Sequence, residues 1–175
     1  VSRGLGDVYK RHENMSLITP HGATSLTPLL ATGQRLAELE AESARLPSIT
    51  VSSAAAANAV MLGAGYFTPL KGYMNRCDAL SVATDLKTTD DLFWPVPVLN
   101  MVERFDGNLG DRIALRDPNV DGAPVIAVMD LTGIECLSDG DMALMTREVF
   151  GTDDPNHPGV ATFNSQGKVL LSGPI

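Results

Sequence analysis

The chain has 175 residues, 44% hydrophobic and 19% charged, so it is long enough for one packed domain and too apolar to be disordered. Its net charge of −8 argues against a nucleic-acid or anionic-membrane partner held through a broad basic face. No apolar run reaches transmembrane length, no signal peptide is apparent, and Cys77 and Cys136, far apart in sequence, form no metal-ligand pair and suit a reducing compartment, so the expected location is the cytoplasm.

Residues 1–14 (VSRGLGDVYKRHEN) are polar and lack a sustained period. Met15-Ser16-Leu17-Ile18 has the look of a natural start. The leader is therefore expected to be non-native, similar to a translated sequencing linker, or else a disordered tail. Its removal is expected to leave stability unchanged. Pro20-His21-Gly22 is a turn, with Leu26, Leu29 and Leu30 after it. Gln34 to Arg45 is a predicted helix, with Leu36, Leu39 and Leu46 on one side and Pro47 as its stop.

Ile49-Thr50-Val51 is a short predicted strand, and Ser52 or Ser53 can cap the helix that follows. In that helix Ala54 to Ala57 offer little volume, so Val60, Met61 and Leu62 are expected to supply the buried face. Gly63 and Gly65 close it, because glycine accepts the left-handed backbone of a helix end. Thr68-Pro69 cannot continue it. Tyr66, Phe67, Leu70, Tyr73 and Met74 then crowd a short turn, and are expected to plug the core.

Asp78 to Leu86 is a third predicted helix. From Leu92 the period changes to two. Phe93 to Val102 is read as a strand whose two prolines confine its start to an edge or bulge. Arg112 to Asp117 alternates between the turn pairs Asp106-Gly107 and Asp121-Gly122, which puts Arg112 and Arg116 on a solvent-facing side. Pro124 to Leu131 is a continuous apolar run, expected to be a central strand. Ile134 to Leu137 is another strand, Asp139 to Phe150 a helix stopped by Gly151, Thr152 to Gly159 a polar loop, and Lys168 to Ser172 a last strand. The mixture is α+β, expected as a small mixed barrel with flanking helices.

Four segments carry a family resemblance. They are GAGYFTPLKGYM at 63–74, LFWPVPVLNMV at 92–102, IALRDPN at 113–119, and VFGTDDPNHPGV at 149–160 with VLLSGPI at 169–175. In this order they resemble the N-terminal, PUA-like domain of ATP sulfurylase (sulfate adenylyltransferase), and the match covers residues 15–175. The resemblance implies a β-barrel with added helices, a structural and supporting role, and a parent that makes adenylyl sulfate and pyrophosphate from sulfate and ATP. It implies ATP with Mg²⁺ as the parent's cofactor, a nucleotidyltransferase domain beyond this piece, and a homo-oligomeric parent. Ala54 to Ala57 and Ser172 depart from the family pattern without touching chemistry.

The family's catalytic segments are of the types Gln-x-Arg-Asn-Pro, His-x-x-His and Gly-Arg-Asp. Asn75-Arg76-Cys77 is not the first, His157 with Pro158-Gly159-Val160 is not the second, and Gly110-Asp111-Arg112 has the wrong order for the third. No catalytic, cofactor-binding or metal residue is therefore assigned, and the chain alone is expected to be inactive. Asp153, Asp154 and His157 have metal-ligand side chains, but Pro155 and Pro158 make a stiff surface turn the plainer reading. His12 and His21 are scattered, Gly63 and Gly65 lack the rest of a phosphate loop, and Ser52 and Ser53 are caps before they are nucleophiles. Arg76 beside Cys77 could depress a thiol, although a quiet cysteine is the default. A second reading is a free-standing PUA-like module that binds RNA or serves an oligomer interface, which the acidic charge opposes in the RNA case.

Overall fold

The computed structural model describes residues 18–175; the leader 1–14 and His12 lie outside them. Among the described residues there are five helices and seven strands: α1 Gly33–Ser43, β1 Ser48–Thr50, α2 Ser53–Gly63, β2 Gly72–Tyr73, α3 Arg76–Asp85, β3 Met101–Val102, β4 Arg112–Arg116, β5 Val125–Asp130, β6 Gly133–Cys136, α4 Asp139–Phe150, α5 Pro158–Asn164 and β7 Val169–Pro174. The α+β class expected from the sequence is the one observed.

The strands form two sheets. In the first, β4 lies between β1, which is parallel to it, and β5, which is antiparallel. In the second, β7 is the hub, antiparallel to β2, β3 and β6. The chain passes from one sheet to the other at Leu131-Thr132, where the Thr132 N–H donates to the Ser172 carbonyl at 2.9 Å. No ladder among the described residues closes the two into a barrel. The sheets touch at glycine: a Cβ on Gly173, at φ 143°, would stand 2.0 Å from the Asp130 carbonyl oxygen. A Cβ on Gly72 would stand 1.9 Å from that of Gly173. Three backbones meet there with no room for a side chain between them.

Strand β7 is buried on both faces, which is why Val169-Leu170-Leu171 run apolar without alternation. Leu171 points into one cluster with Val51, Leu62, Tyr73, Ile113 and Met129, and Leu170 into a second with Ala79, Met101, Leu137 and Met145. The two-residue period of a strand thus divides the apolar core in two.

Several elements follow the sequence closely. Helix α4 occupies the predicted residues; Ser138 and Asp141 form a reciprocal capping box at its start, and Gly151 at φ 71° ends it. Ser52 is the cap of α2, accepting from the Ala55 N–H. Of the two proposed closing glycines, Gly65 takes the left-handed backbone, at φ 81°, while Gly63 is still helical.

Other expectations are corrected. Helix α2 buries Ala55, Ala56, Ala59 and Leu62, whereas Val60 and Met61 are exposed. The small Ala55, Ala56 and Ala59 let this helix sit close on the core. The segment 92–100 bends at Pro95-Val96 and lies outside the ladders apart from a single bridge between Phe93 and Lys87, and only Met101–Val102 pairs with β7. Pro95 and Pro97 have no N–H to donate, and Val98 to Met101 are buried one after another, so the period of two read there is not realised as a sheet. Strand β5 is at the edge of its sheet, and β4 is central. Helix α3 begins at Arg76, capped by Asn75, ahead of the predicted Asp78. Helix α5 occupies residues read partly as loop. The central turn is only partly a plug: Tyr73 and Met74 are buried, Phe67 is half-buried edge-on to Trp94 at 5.6 Å, and Tyr66 is 73% exposed.

Candidate functional site

A groove of about 410 Å³ lies between the start of α2, the 96–99 segment, the end of α4 and α5. Ala54 and Asn58 form one wall, Val96 the rim, and Val149 and Phe163 the opposite wall. The fifth helix exists because of the polar turn before it. The Asp154 carboxylate accepts from the Asn156 N–H at 2.9 Å, and His157 caps α5 by accepting from the Val160 N–H at 3.4 Å. Pro158 stands in the first turn, where its missing N–H costs nothing. Phe150 and Phe163 then meet with centroids 6.1 Å apart, setting the far wall.

Only a few polar groups reach the groove. The Asn58 side-chain amide donates to the Leu99 carbonyl at 3.4 Å, and Gln166 accepts from the Ser52 hydroxyl at 2.8 Å. None of the lining residues is titratable. The site can therefore bind an apolar group, but its own lining offers nothing for acid–base or nucleophilic chemistry.

The strongest electrostatic arrangement lies elsewhere. Arg76 holds Asp141 with two parallel bonds, Nε to Oδ2 at 3.0 Å and Nη2 to Oδ1 at 2.7 Å. The same carboxylate accepts from the Ser138 N–H and hydroxyl, and the Arg76 N–H donates to Glu135 Oε2 at 2.8 Å. The guanidinium and the Ser138 donors pull the Asp141 carboxyl down to about 2. This clamp joins the starts of α3 and α4, and both Asp141 carboxylate oxygens are engaged in it. Tyr73 is likewise structural: its hydroxyl donates to the Ala55 carbonyl at 2.7 Å, and burial pushes its pKa up.

Comparison with known proteins bears on what such a scaffold belongs to. A family model for the PUA-like domain matches residues 18–175. The chain belongs to the PUA-like domain family. The domain is 55% identical over 161 residues to a sulfate adenylyltransferase of Allochromatium vinosum, covering 91% of this chain and 41% of that protein. It is 53% identical over 163 residues to one of Alcanivorax borkumensis, covering 92% of this chain and 41% of that protein. It thus spans about 41% of the length of these relatives. Among solved structures it is similar to a hexameric APS kinase from Thiobacillus denitrificans, with a TM-score of 0.58 and 30% identity, over 71% of this chain and 24% of that one.

Within this PUA-like domain the residues singled out by type fall apart in space. His21 packs edge-on against Phe93 near the first turn, while Asp154 and His157 are used in the turn before α5. Cys77 and Cys136 are exposed, and the guanidinium beside Cys77 is committed to Asp141. Ser53 donates to Asn119 at 2.7 Å. Arg112 and Arg116 do not simply face solvent. Arg112 is half-buried and tied to Glu42 and Asp130, and Arg116 bonds Ser48 and the Ala123 carbonyl, so the two pin β4 to its surroundings. The sequence reading missed Asn58, Gln166 and the Arg76–Asp141 clamp. Only the Ser-x-x-Asp spacing at 138–141 hinted at the last.

Proposed function

We propose that this PUA-like domain is the N-terminal part of a sulfate adenylyltransferase. The parent joins sulfate to the α-phosphate of ATP, supplied with Mg²⁺, and releases pyrophosphate; this domain supports the catalytic part. One observation carries the reading: identity of 55% across 91% of the chain with a protein of that name, of which it covers 41%. The fold suits a supporting role, since the Asp141 carboxylate is committed to the α3–α4 clamp and the groove is apolar.

MgATP needs several cations converging on phosphate oxygens. Four of the cations lie apart from one another and are each matched by a carboxylate: Arg76 with Asp141, Lys87 with Asp91, Arg104 with Asp106, and Lys168 with Asp139. We therefore assign the nucleotide chemistry to the remainder of the parent. We also read the two sheets as an open form of the small barrel, the parent as a cytoplasmic homo-oligomer, and the chain as free of nucleic-acid and membrane partners.

The test is sulfate-dependent pyrophosphate release. The 175-residue chain is expected to stay at background, and the longer gene product, obtained by reading the DNA past codon 175, to turn over. Turnover by the chain alone, or none by the longer product, would sink the reading.

A further inference from the structure

Helix α2 reads SAAAANAVMLG over Ser53–Gly63, with no charged residue on any side. A helix apolar all round is normally enclosed, and α2 is enclosed on one side only. Ala55, Ala59 and Leu62 are buried, while Val60 is 58% exposed and Met61 37% exposed on the opposite face. The exposed strip continues past the helix end. Gly63 receives the N–H groups of Leu29 and Leu30 at 2.9 and 3.1 Å, which holds Leu30, 66% exposed, beside it. The Tyr66 N–H donates to the Met61 carbonyl at 3.0 Å, and the Tyr66 ring stands out in solvent. A surface helix with large apolar groups and no charges is the signature of a contact face.

We infer that the outer face of α2, with Leu30 and Tyr66, is the surface on which the catalytic part of the same polypeptide docks. The occupant rests on the function proposed above and on two observations. The relatives carry more than half of their length outside the region this chain matches. In that reading the catalytic part follows Ile175, whose N–H donates to the Lys71 carbonyl at 3.0 Å, while Pro174 pairs with Gly72. In that reading the polypeptide leaves the domain beside Lys71 and Gly72, at the end of the segment that presents Tyr66. A domain tethered there meets this face at a high effective concentration, so a modest apolar patch suffices to hold it.

The test is hydroxyl-radical footprinting of the 175-residue chain and of the longer gene product side by side. Met61 and Tyr66 should label at least about fivefold more slowly in the longer protein, while Leu109, exposed in the loop before β4, should label equally in both. Equal labelling of Met61 and Tyr66 in an active longer protein overturns the inference and leaves the proposed function standing. Protection without sulfate-dependent pyrophosphate release supports the interface and refutes the function. Concentration-dependent protection in the 175-residue chain, matched by dimerisation in sedimentation, assigns the face to a second copy and also overturns the inference. Val60→Glu supplies an independent readout: unchanged melting of the isolated chain with earlier melting or faster proteolysis between the two parts of the longer protein is expected. Identical behaviour of wild type and variant in the longer protein counts against docking.

Discussion

Replacing Asp141 by Asn keeps the shape of the α3–α4 clamp and removes its negative charge. Asp141 is 7% exposed and holds a bidentate contact to an Arg76 side chain that is 40% exposed. A carboxyl brought to about 2 from an ordinary 3.8 corresponds to roughly 2 kcal/mol of charge-dependent stabilisation. Water around Arg76 reduces that to about 1–1.5 kcal/mol. The amide of Asp141→Asn also loses one of the acceptors in the capping box, worth about another 0.5–1 kcal/mol. The variant should therefore be about 1.5–2.5 kcal/mol less stable at pH 7, a sizeable share of the roughly 5–15 kcal/mol typical of a domain. The sign with pH follows from the direction of the shift. The folded-state pKa is lower than the unfolded one, so the contribution is complete above about pH 5 and fades as pH falls through 4 toward 2. Urea melts of wild type and variant at pH 7, 5, 4 and 3 measure the gap directly. A gap of the same size at pH 3 as at pH 7, or none at pH 7, would refute the assignment of the charge to this clamp.

Two further expectations separate packing from exposure. Tyr73→Ala empties a buried ring and its bond to Ala55 and should cost about 3–5 kcal/mol, whereas Phe67→Ala, half-buried against Trp94, should cost about 2; equal losses in denaturant melts would contradict the observed burial. Gly173→Ala forces a Cβ onto the Asp130 carbonyl at a crossing with no slack and should cost more than about 3 kcal/mol. A soluble Gly173→Ala protein with wild-type melting would show that the two sheets are not held that closely.

Where local chemistry decides the structure, the sequence could be read. Helix α4 declares itself because Ser138, Asp141 and Gly151 act within a few residues of its ends. The face that α2 buries could not be read that way, since an alanine-rich helix looks alike from all sides and distant partners choose the buried one. The strand run at 92–102 misled because Pro95 and Pro97 leave no N–H for a ladder and the tertiary fold buries Val98 to Met101 one after another. Pro158 misled in the opposite direction: it reads as a breaker, yet it opens α5. The groove was illegible because its walls come from residues as far apart as Ala54 and Gln166. The acidic turn at 153–157 shows the converse, since its residue types suggest ligands while their hydrogen bonds shape a helix start.

The hub position of β7 sets an order of events during synthesis. Strands β2, β3 and β6 all pair with β7, and neither half of the core is complete without Leu170 or Leu171. On a ribosome adding about 5–20 residues per second, β2, β3 and β6 must wait seconds with their pairing edges open until β7 is made. Helices α2 to α4 and the β1–β4–β5 sheet can form earlier, but the ladders of the second sheet close together, when the strand that serves all three has cleared the exit tunnel. This is a fold whose vulnerable interval for aggregation or chaperone capture is set by its last element.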